Sequence, residues 1–140
     1  MTKLTGRCLC HAIRWETSGN PLWQAHCHCD SCRRSTASPF TSFIGMRRQD
    51  VTWTGELAAY NSSPGVTRQF CPRCGTQMSF EADQWPEETH LYAACLDDPS
   101  LYQPTAHVHW AEHVSWADLH DQLPKFPAVG GNSAPDPNAP

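Results

Sequence analysis

No run of roughly 18 apolar residues occurs in this sequence, so a membrane-spanning helix is not expected. The first ten residues carry Lys3 and Arg7 but no apolar h-region. That excludes a secretory signal from the reading and makes the cytosol the expected location. Charge is scarce: 17% of residues are charged, and 14 acidic against 10 basic side chains leave a net charge of −4. Without a basic excess or a basic arm, nucleic acid is not an expected partner. No helical pattern runs unbroken beyond about three turns, and no domain-scale repeat is present. Eight cysteines in 140 residues fall short of the roughly 8–10% that marks a disulfide-built miniprotein. In a reducing compartment they point instead to metal ligands or reactive thiols.

What is present is punctuation and aromatic bulk. Twelve prolines and eight glycines divide the chain into short segments, and six tryptophans and five phenylalanines supply much of the apolar surface for a modest core. Ile13, Trp15 and Thr17 alternate with Arg14 and Glu16, the period of a half-buried strand. Phe40–Ile44, Val51–Thr54, Thr76–Phe80 and Thr89–Leu96 are further expected strands. Leu57–Tyr60 and Val66–Phe70 flank Asn61-Ser62-Ser63-Pro64-Gly65, a hairpin signal. The fold class expected is mainly β, with one short C-terminal helix. Ser115 with Asp118 three residues on resembles a capping box, Trp116, Leu119 and Leu123 share one helical face, and Pro124 ends it. Residues 1–126 read as a single domain. Residues 127–140 are rich in Pro, Gly, Asn and Ala with little to bury, and read as a tail.

The cysteines form three clusters and a singleton: Cys8-Leu9-Cys10, Cys27-His28-Cys29-Asp30-Ser31-Cys32, Cys71-Pro72-Arg73-Cys74, and Cys95. Tetrahedral zinc, with Zn–S of about 2.3 Å, needs sulfurs roughly 4 Å apart. A C-x-C on a strand and a C-x-x-C on a tight turn each provide two such sulfurs. The simplest partition joins Cys8, Cys10, Cys71 and Cys74 in one closed site and leaves Cys27, Cys29 and Cys32 as three ligands with an open fourth position, the pattern of a catalytic zinc. A rival partition closes the second site with Cys95 or a histidine. A redox role for Cys71 and Cys74 would require a thioredoxin-like βαβ unit, and none surrounds them. Arg7, Arg33, Arg34 and Arg73 adjoin the clusters, where cations favour thiolate. Arg33-Arg34 also reads as a small site for a carboxylate.

These motifs, in order, resemble the glutathione-dependent formaldehyde-activating family, the CENP-V/GFA domain, over about Gly6 to Phe126. Gly6-Arg7-Cys8-Leu9-Cys10 is similar to its opening G-x-C-x-C, and Cys27 to Arg33 to its C-H-C-x-x-C-R/K. Tyr60 to Gly65 and Phe70 to Thr76 are similar to Y-x-S-S-P-G and F-C-x-x-C-G-T. Leu96-Asp97-Asp98-Pro99 and Trp116 to Phe126 resemble the closing segments. The resemblance implies an Mss4-like fold of coiled antiparallel sheets stapled by two zinc ions per chain. It assigns Cys8, Cys10, Cys71 and Cys74 to the structural zinc and Cys27, Cys29 and Cys32 to the catalytic one. His11 stands where the family has glycine, and Cys95 where it has a small residue.

The reaction implied is addition of glutathione to formaldehyde, a carbon–sulfur lyase chemistry. Three thiolates make zinc a poor generator of hydroxide but a good holder of a fourth sulfur, so an incoming thiol rather than water is expected to be activated. The proton for the new alkoxide has candidates in His26, His28, His107, His109, His113, Asp97 and Asp98. The competing expectation is a zinc-stabilised glutathione carrier or interaction module without turnover.

Overall fold

The computed structural model describes residues 2–130, 134–137 and 139. Ten strands occur among them: β1 (Thr5–Arg7), β2 (Arg14–Thr17), β3 (Trp23–Cys27), β4 (Thr41–Arg47), β5 (Val51–Thr54), β6 (Ala58–Ser63), β7 (Val66–Phe70), β8 (Gln77–Ala82), β9 (Glu88–Tyr92) and β10 (His107–Val108). One α-helix, α1 (Asp30–Thr36), accompanies them, with short 3-10 turns between. The protein is mainly β, as its alternating patterns predict. No helix of the described residues is long and apolar enough to cross a membrane. The chain divides into two compact units, Met1–Trp23 with Ile44–Tyr102 and Gln24–Phe43 with Gln103–Pro140.

In the first unit, β1, β2 and β5 form an antiparallel sheet with β2 in the middle. β2 buries Trp15 and Thr17 and exposes Arg14 and Glu16, which is the period read from its sequence. Gly6 lies opposite Trp15. A Cβ there would overlap the indole ring and crowd the Cys95 carbonyl, so only glycine lets the two strands close. β9, β8, β7 and β6 lie side by side, and the expected hairpin joins β6 to β7. Leu4, Ile13, Trp15, Ile44, Met46, Met78 and Leu91 form the core together with the Cys8 and Cys71 side chains. Each large apolar side chain fully buried here contributes about 1.5–3 kcal/mol. The two cysteine pairs, Cys8 with Cys10 and Cys71 with Cys74, therefore follow strands, β1 and β7, that lead out of this core.

In the second unit, β3 and β10 pair in parallel, with His107 opposite His26 and Val108 opposite Cys27. This parallel pair departs from the antiparallel sheets that the family resemblance implies. α1 begins at once after Cys29 and ends at Ala37, whose left-handed conformation (φ 52°) lets its N–H bond the Arg33 carbonyl. The helix thus begins within the second cysteine cluster, not at Ser115–Leu123 as expected. That C-terminal segment has no helix for three reasons. Trp116 is 73% exposed and buries no apolar face. Asp121 turns its carboxylate onto His107 and the Leu123 amide. Gln122 takes φ 63°, which interrupts a right-handed helix. So short a segment has little helical stability of its own to set against these contacts. Pro127 and Ala128, at the start of the expected tail, accept hydrogen bonds from Ala111 and His109. Residues 131–133, 138 and 140 of that tail lie outside the described residues.

Candidate metal centres

Cys8, Cys10, Cys71 and Cys74 converge in the first unit, their sulfurs all within 4.8 Å of one another. The Sγ atoms of Cys8 and Cys10 are 3.7 Å apart, as are those of Cys10 and Cys71. A tetrahedron of sulfurs about 2.3 Å from its centre has edges of about 3.8 Å, so the spacing fits a zinc ion. The turn at Cys71 explains the arrangement. Gly75 N–H bonds the Cys71 carbonyl at 2.8 Å, and Gly75 adopts φ 79° in open space, so backbone conformation rather than room selects glycine there. Amide groups then aim at the thiols: Ile13 N–H at Cys8 Sγ (3.2 Å) and Cys74 N–H at Cys71 Sγ (3.5 Å). The Thr76 hydroxyl, 3.1 Å from Cys74 Sγ, is the leading cause that lowers the Cys74 thiol to about 5.

Cys27, Cys29 and Cys32 converge in the second unit, again within 4.8 Å, with Cys27 Sγ and Cys32 Sγ 3.8 Å apart. Cys29 is the N-cap of α1, its sulfur accepting the Cys32 N–H at 3.3 Å. The hydroxyls of Ser35, Thr36 and Thr41 all bond the Cys32 carbonyl and fix the ligand-bearing turn. Two of the thiols, Cys27 and Cys29, diverge sharply in acidity. Hydrogen bonds from Cys27 and Cys32, aided by the Cys32 amide and the charge of His109, hold Cys29 down to about 2. The neighbouring Cys29 and Cys32, with burial, push Cys27 far up. One thiolate is easy here and a second is resisted. A cation among the three sulfurs would favour the thiolate form of each, which is the chemistry of a metal-binding donor set.

Cys95 belongs to neither group. Its thiol meets the Gln77 carbonyl at 3.6 Å, and burial, then Cys8 and Cys74, raise it to about 11. No histidine joins either group among the described residues. His11 is exposed, with φ 70°; the position demands the left-handed conformation that glycine adopts freely, which accounts for the residue type the family pattern favours. Arg33 and Arg34 both bond Asp30, so their guanidinium groups are engaged with a carboxylate of the same helix. Arg7 lies 3.8 Å from Asp97 and donates to the Cys8 carbonyl.

The proton-donor candidates separate. Asp98 caps the turn at Ser100, and Asp97 bonds back to Thr5 through its amide; both lie in the first unit. His28, His107 and His113 gather in the second unit around Trp110, and His26 lies against His107. Burial, then His107, lowers His26 to about 4. Burial, then His107, His26 and His113, lowers His28 to about 3. His109 does not share a strand face with His107, because it turns into the left-handed region (φ 53°) just after β10. Its Nδ1 lies 3.5 Å from Glu112, whose other oxygen accepts the Asp30 amide at the start of α1. Sequence reasoning missed Asp121, which bonds His107 at 2.8 Å, and Glu112; neither carries a local signal.

The family model described as glutathione-dependent formaldehyde-activating enzyme matches residues 3–112. A protein of Halomonas elongata named for that activity is 31% identical over 117 residues, covering 76% of this chain and 73% of its own. An uncharacterised lyase of Schizosaccharomyces pombe is 34% identical over 80 residues; the match spans 57% of this chain and only 58% of the relative. A crystal structure of a Rhodobacter sphaeroides protein superposes with a TM-score of 0.56 at 24% identity, over 66% of this chain and 87% of that one, and shares the fold. By the span of the family model and the extent of the Halomonas match, this chain belongs to the glutathione-dependent formaldehyde-activating enzyme family.

Proposed function

We propose that this protein is a zinc-dependent carbon–sulfur lyase that binds a small thiol, glutathione, at Cys27, Cys29 and Cys32 and adds it to a small aldehyde such as formaldehyde. The observation that carries the reading is the difference between the two cysteine groups. One offers four converging thiols and the other three, among the described residues. Four thiols close a tetrahedron and suit a structural ion; three leave a position for an incoming ligand. When bound, zinc supplies a positive centre that lowers the pKa of a fourth thiol and keeps its sulfur nucleophilic.

The chain's own residues do the rest. Cys27, Cys29 and Cys32 hold the centre on the turn fixed by Ser35, Thr36 and Thr41. The thiol sulfur attacks the aldehyde carbon, a C–S bond forms, the C=O π bond opens, and the oxygen takes the proton the thiol gave up. His109 is assigned to carry that proton. It is partly exposed, its charge acts on Cys29, and Glu112 orients its ring. His26, His28 and His107, held neutral by burial, are assigned structural roles. A cytosolic setting, where thiols stay reduced and glutathione is abundant, suits the reading.

The test is exchange NMR between formaldehyde and its glutathione adduct, with and without protein. Exchange accelerated above the spontaneous rate, and lost in a folded Cys29→Ser variant, is the expected result. Thiol binding with an unchanged exchange rate would replace the enzyme with a glutathione carrier.

A further inference from the structure

Two hydrogen bonds in series run through the second unit. His107 Nε2 lies 2.8 Å from Asp121 Oδ2, and His107 Nδ1 lies 2.8 Å from His28 Nε2. The proton positions follow from one end. A carboxylate can only accept, so His107 carries its proton on Nε2. His107 is fully buried and neutral, so its Nδ1 offers a lone pair. His28 must then donate from Nε2, which leaves its own Nδ1 bare. That Nδ1 is buried and has no hydrogen-bond partner among the described residues. A buried acceptor left unused is costly. The fold satisfies the bond to His107 at the expense of that atom.

The chain ends where the chemistry is. His28 stands between Cys27 and Cys29, two of the three converging cysteines. Its ring, 1% exposed, is packed against Phe40 and edge-on to Trp110, with ring centroids 5.3 and 4.6 Å away. Its amide bonds the Val108 carbonyl, and its carbonyl accepts from Arg33 Nε. Asp121 is itself held by the Leu123 amide at 3.1 Å. Metal centres commonly have their ligands oriented by hydrogen-bonded partners one step further out.

We propose that His107 and Asp121 are positioning residues of the three-cysteine centre, acting through His28. The carboxylate–imidazole–imidazole chain fixes the ring and tautomer of His28 and so sets the Cys27-His28-Cys29 backbone that carries two of the thiols. The role rests on the reading of Cys27, Cys29 and Cys32 as a metal–thiol centre; the tautomer order does not.

The test uses full-length protein labelled with 15N-histidine and loaded with Zn2+ or Co2+. Long-range 1H–15N correlation is expected to show His28 and His107 as neutral Nε2–H tautomers. Asp121→Ala, at a side chain 35% exposed, is expected to redistribute both tautomers. It should also weaken metal binding at the three-cysteine centre by roughly 10–100-fold, read by chelator competition and by the Co2+–thiolate absorption, with the four-cysteine centre unchanged. Asp121→Asn retains an accepting oxygen and is expected to restore the tautomers and most of the affinity. His107→Phe, which keeps a ring but removes the acceptor, should reproduce the alanine result. A wild-type His28 protonated on Nδ1, or unchanged metal affinity in Asp121→Ala and His107→Phe, overturns the proposal while leaving the centre standing. One metal ion per wild-type chain overturns the centre and the positioning role together.

Discussion

Replacing Cys74 by serine and Cys29 by serine removes one sulfur from each cysteine group, yet the two changes should have very different consequences for folding. The four-cysteine group ties together segments far apart in the chain: Cys10 and Cys71, whose sulfurs are 3.7 Å apart, are separated by 61 positions. A metal ion held there would close a long loop, and Cys8 and Cys71 are part of the main core. Structural zinc of this kind contributes an apparent ~10–16 kcal/mol, as much as the ~5–15 kcal/mol net stability of an ordinary domain. Cys74→Ser, which weakens that site and removes the Thr76 contact to sulfur, is therefore expected to leave the chain largely unfolded. The three-cysteine group spans only Cys27 to Cys32 and closes no long loop. Cys29 caps α1 by accepting the Cys32 N–H, and serine is among the best residues at that position. Cys29→Ser should cost no more than about 1 kcal/mol in local structure, a Tm decrease of roughly 4 °C. Circular dichroism melts in reductant and buffered zinc read both. A Cys74→Ser protein that melts with the wild type, or a Cys29→Ser protein that fails to fold, would refute the division into a folding centre and a chemical one.

Three further outcomes test the fold. Leu91→Ala, at a side chain with no exposure in the main core, should destabilise by about 2–5 kcal/mol in denaturant unfolding while both metal sites still fill; a loss under about 1 kcal/mol would contradict the core assignment. Trp116→Ala should change stability by less than about 0.5 kcal/mol, whereas a loss of several kcal/mol would mean the segment packs as the expected helix would. Burial is the leading cause that holds His90 and His107 below their ordinary value, so below pH ~6.5 the unfolded chain takes up protons the native protein refuses. The stability they contribute is complete above that pH and is lost as pH falls toward their native values. His90→Phe, which keeps the ring stacked on Phe80, should flatten the slope of stability between pH 6.5 and 5 by up to one proton's worth, about 1.4 kcal/mol per pH unit; an unchanged slope argues against a neutral His90.

What the sequence shows of this protein follows the range of the interactions involved. The cysteine groups are legible because C-x-C and C-x-x-C fix sulfur separation within a few residues, and the strands because alternation such as Trp15 and Thr17 against Arg14 and Glu16 is local. α1 is hidden because its cap is a cysteine and its first residues, Asp30 to Cys32, read as part of a metal loop. The expected helix at Ser115–Leu123 has the right local pattern, but Asp121 finds a stronger partner in His107, 14 residues away. The His28–His107 contact joins residues 79 apart and leaves no periodicity to read. The parallel pairing of β3 with the two-residue β10 is equally silent. Cys95, a singleton in the sequence that a rival partition would set beside Cys27, Cys29 and Cys32, instead meets the Gln77 carbonyl in the first unit.

The central claim is that the three-cysteine centre takes an incoming thiol as its fourth sulfur. Zinc-edge X-ray absorption on reductant-protected protein carrying two zinc ions per chain, recorded with and without saturating glutathione, addresses it directly. Glutathione is expected to add one sulfur neighbour per chain, and Cys29→Ser to abolish the change. A spectrum that glutathione leaves unaltered, with both ions present, would contradict it.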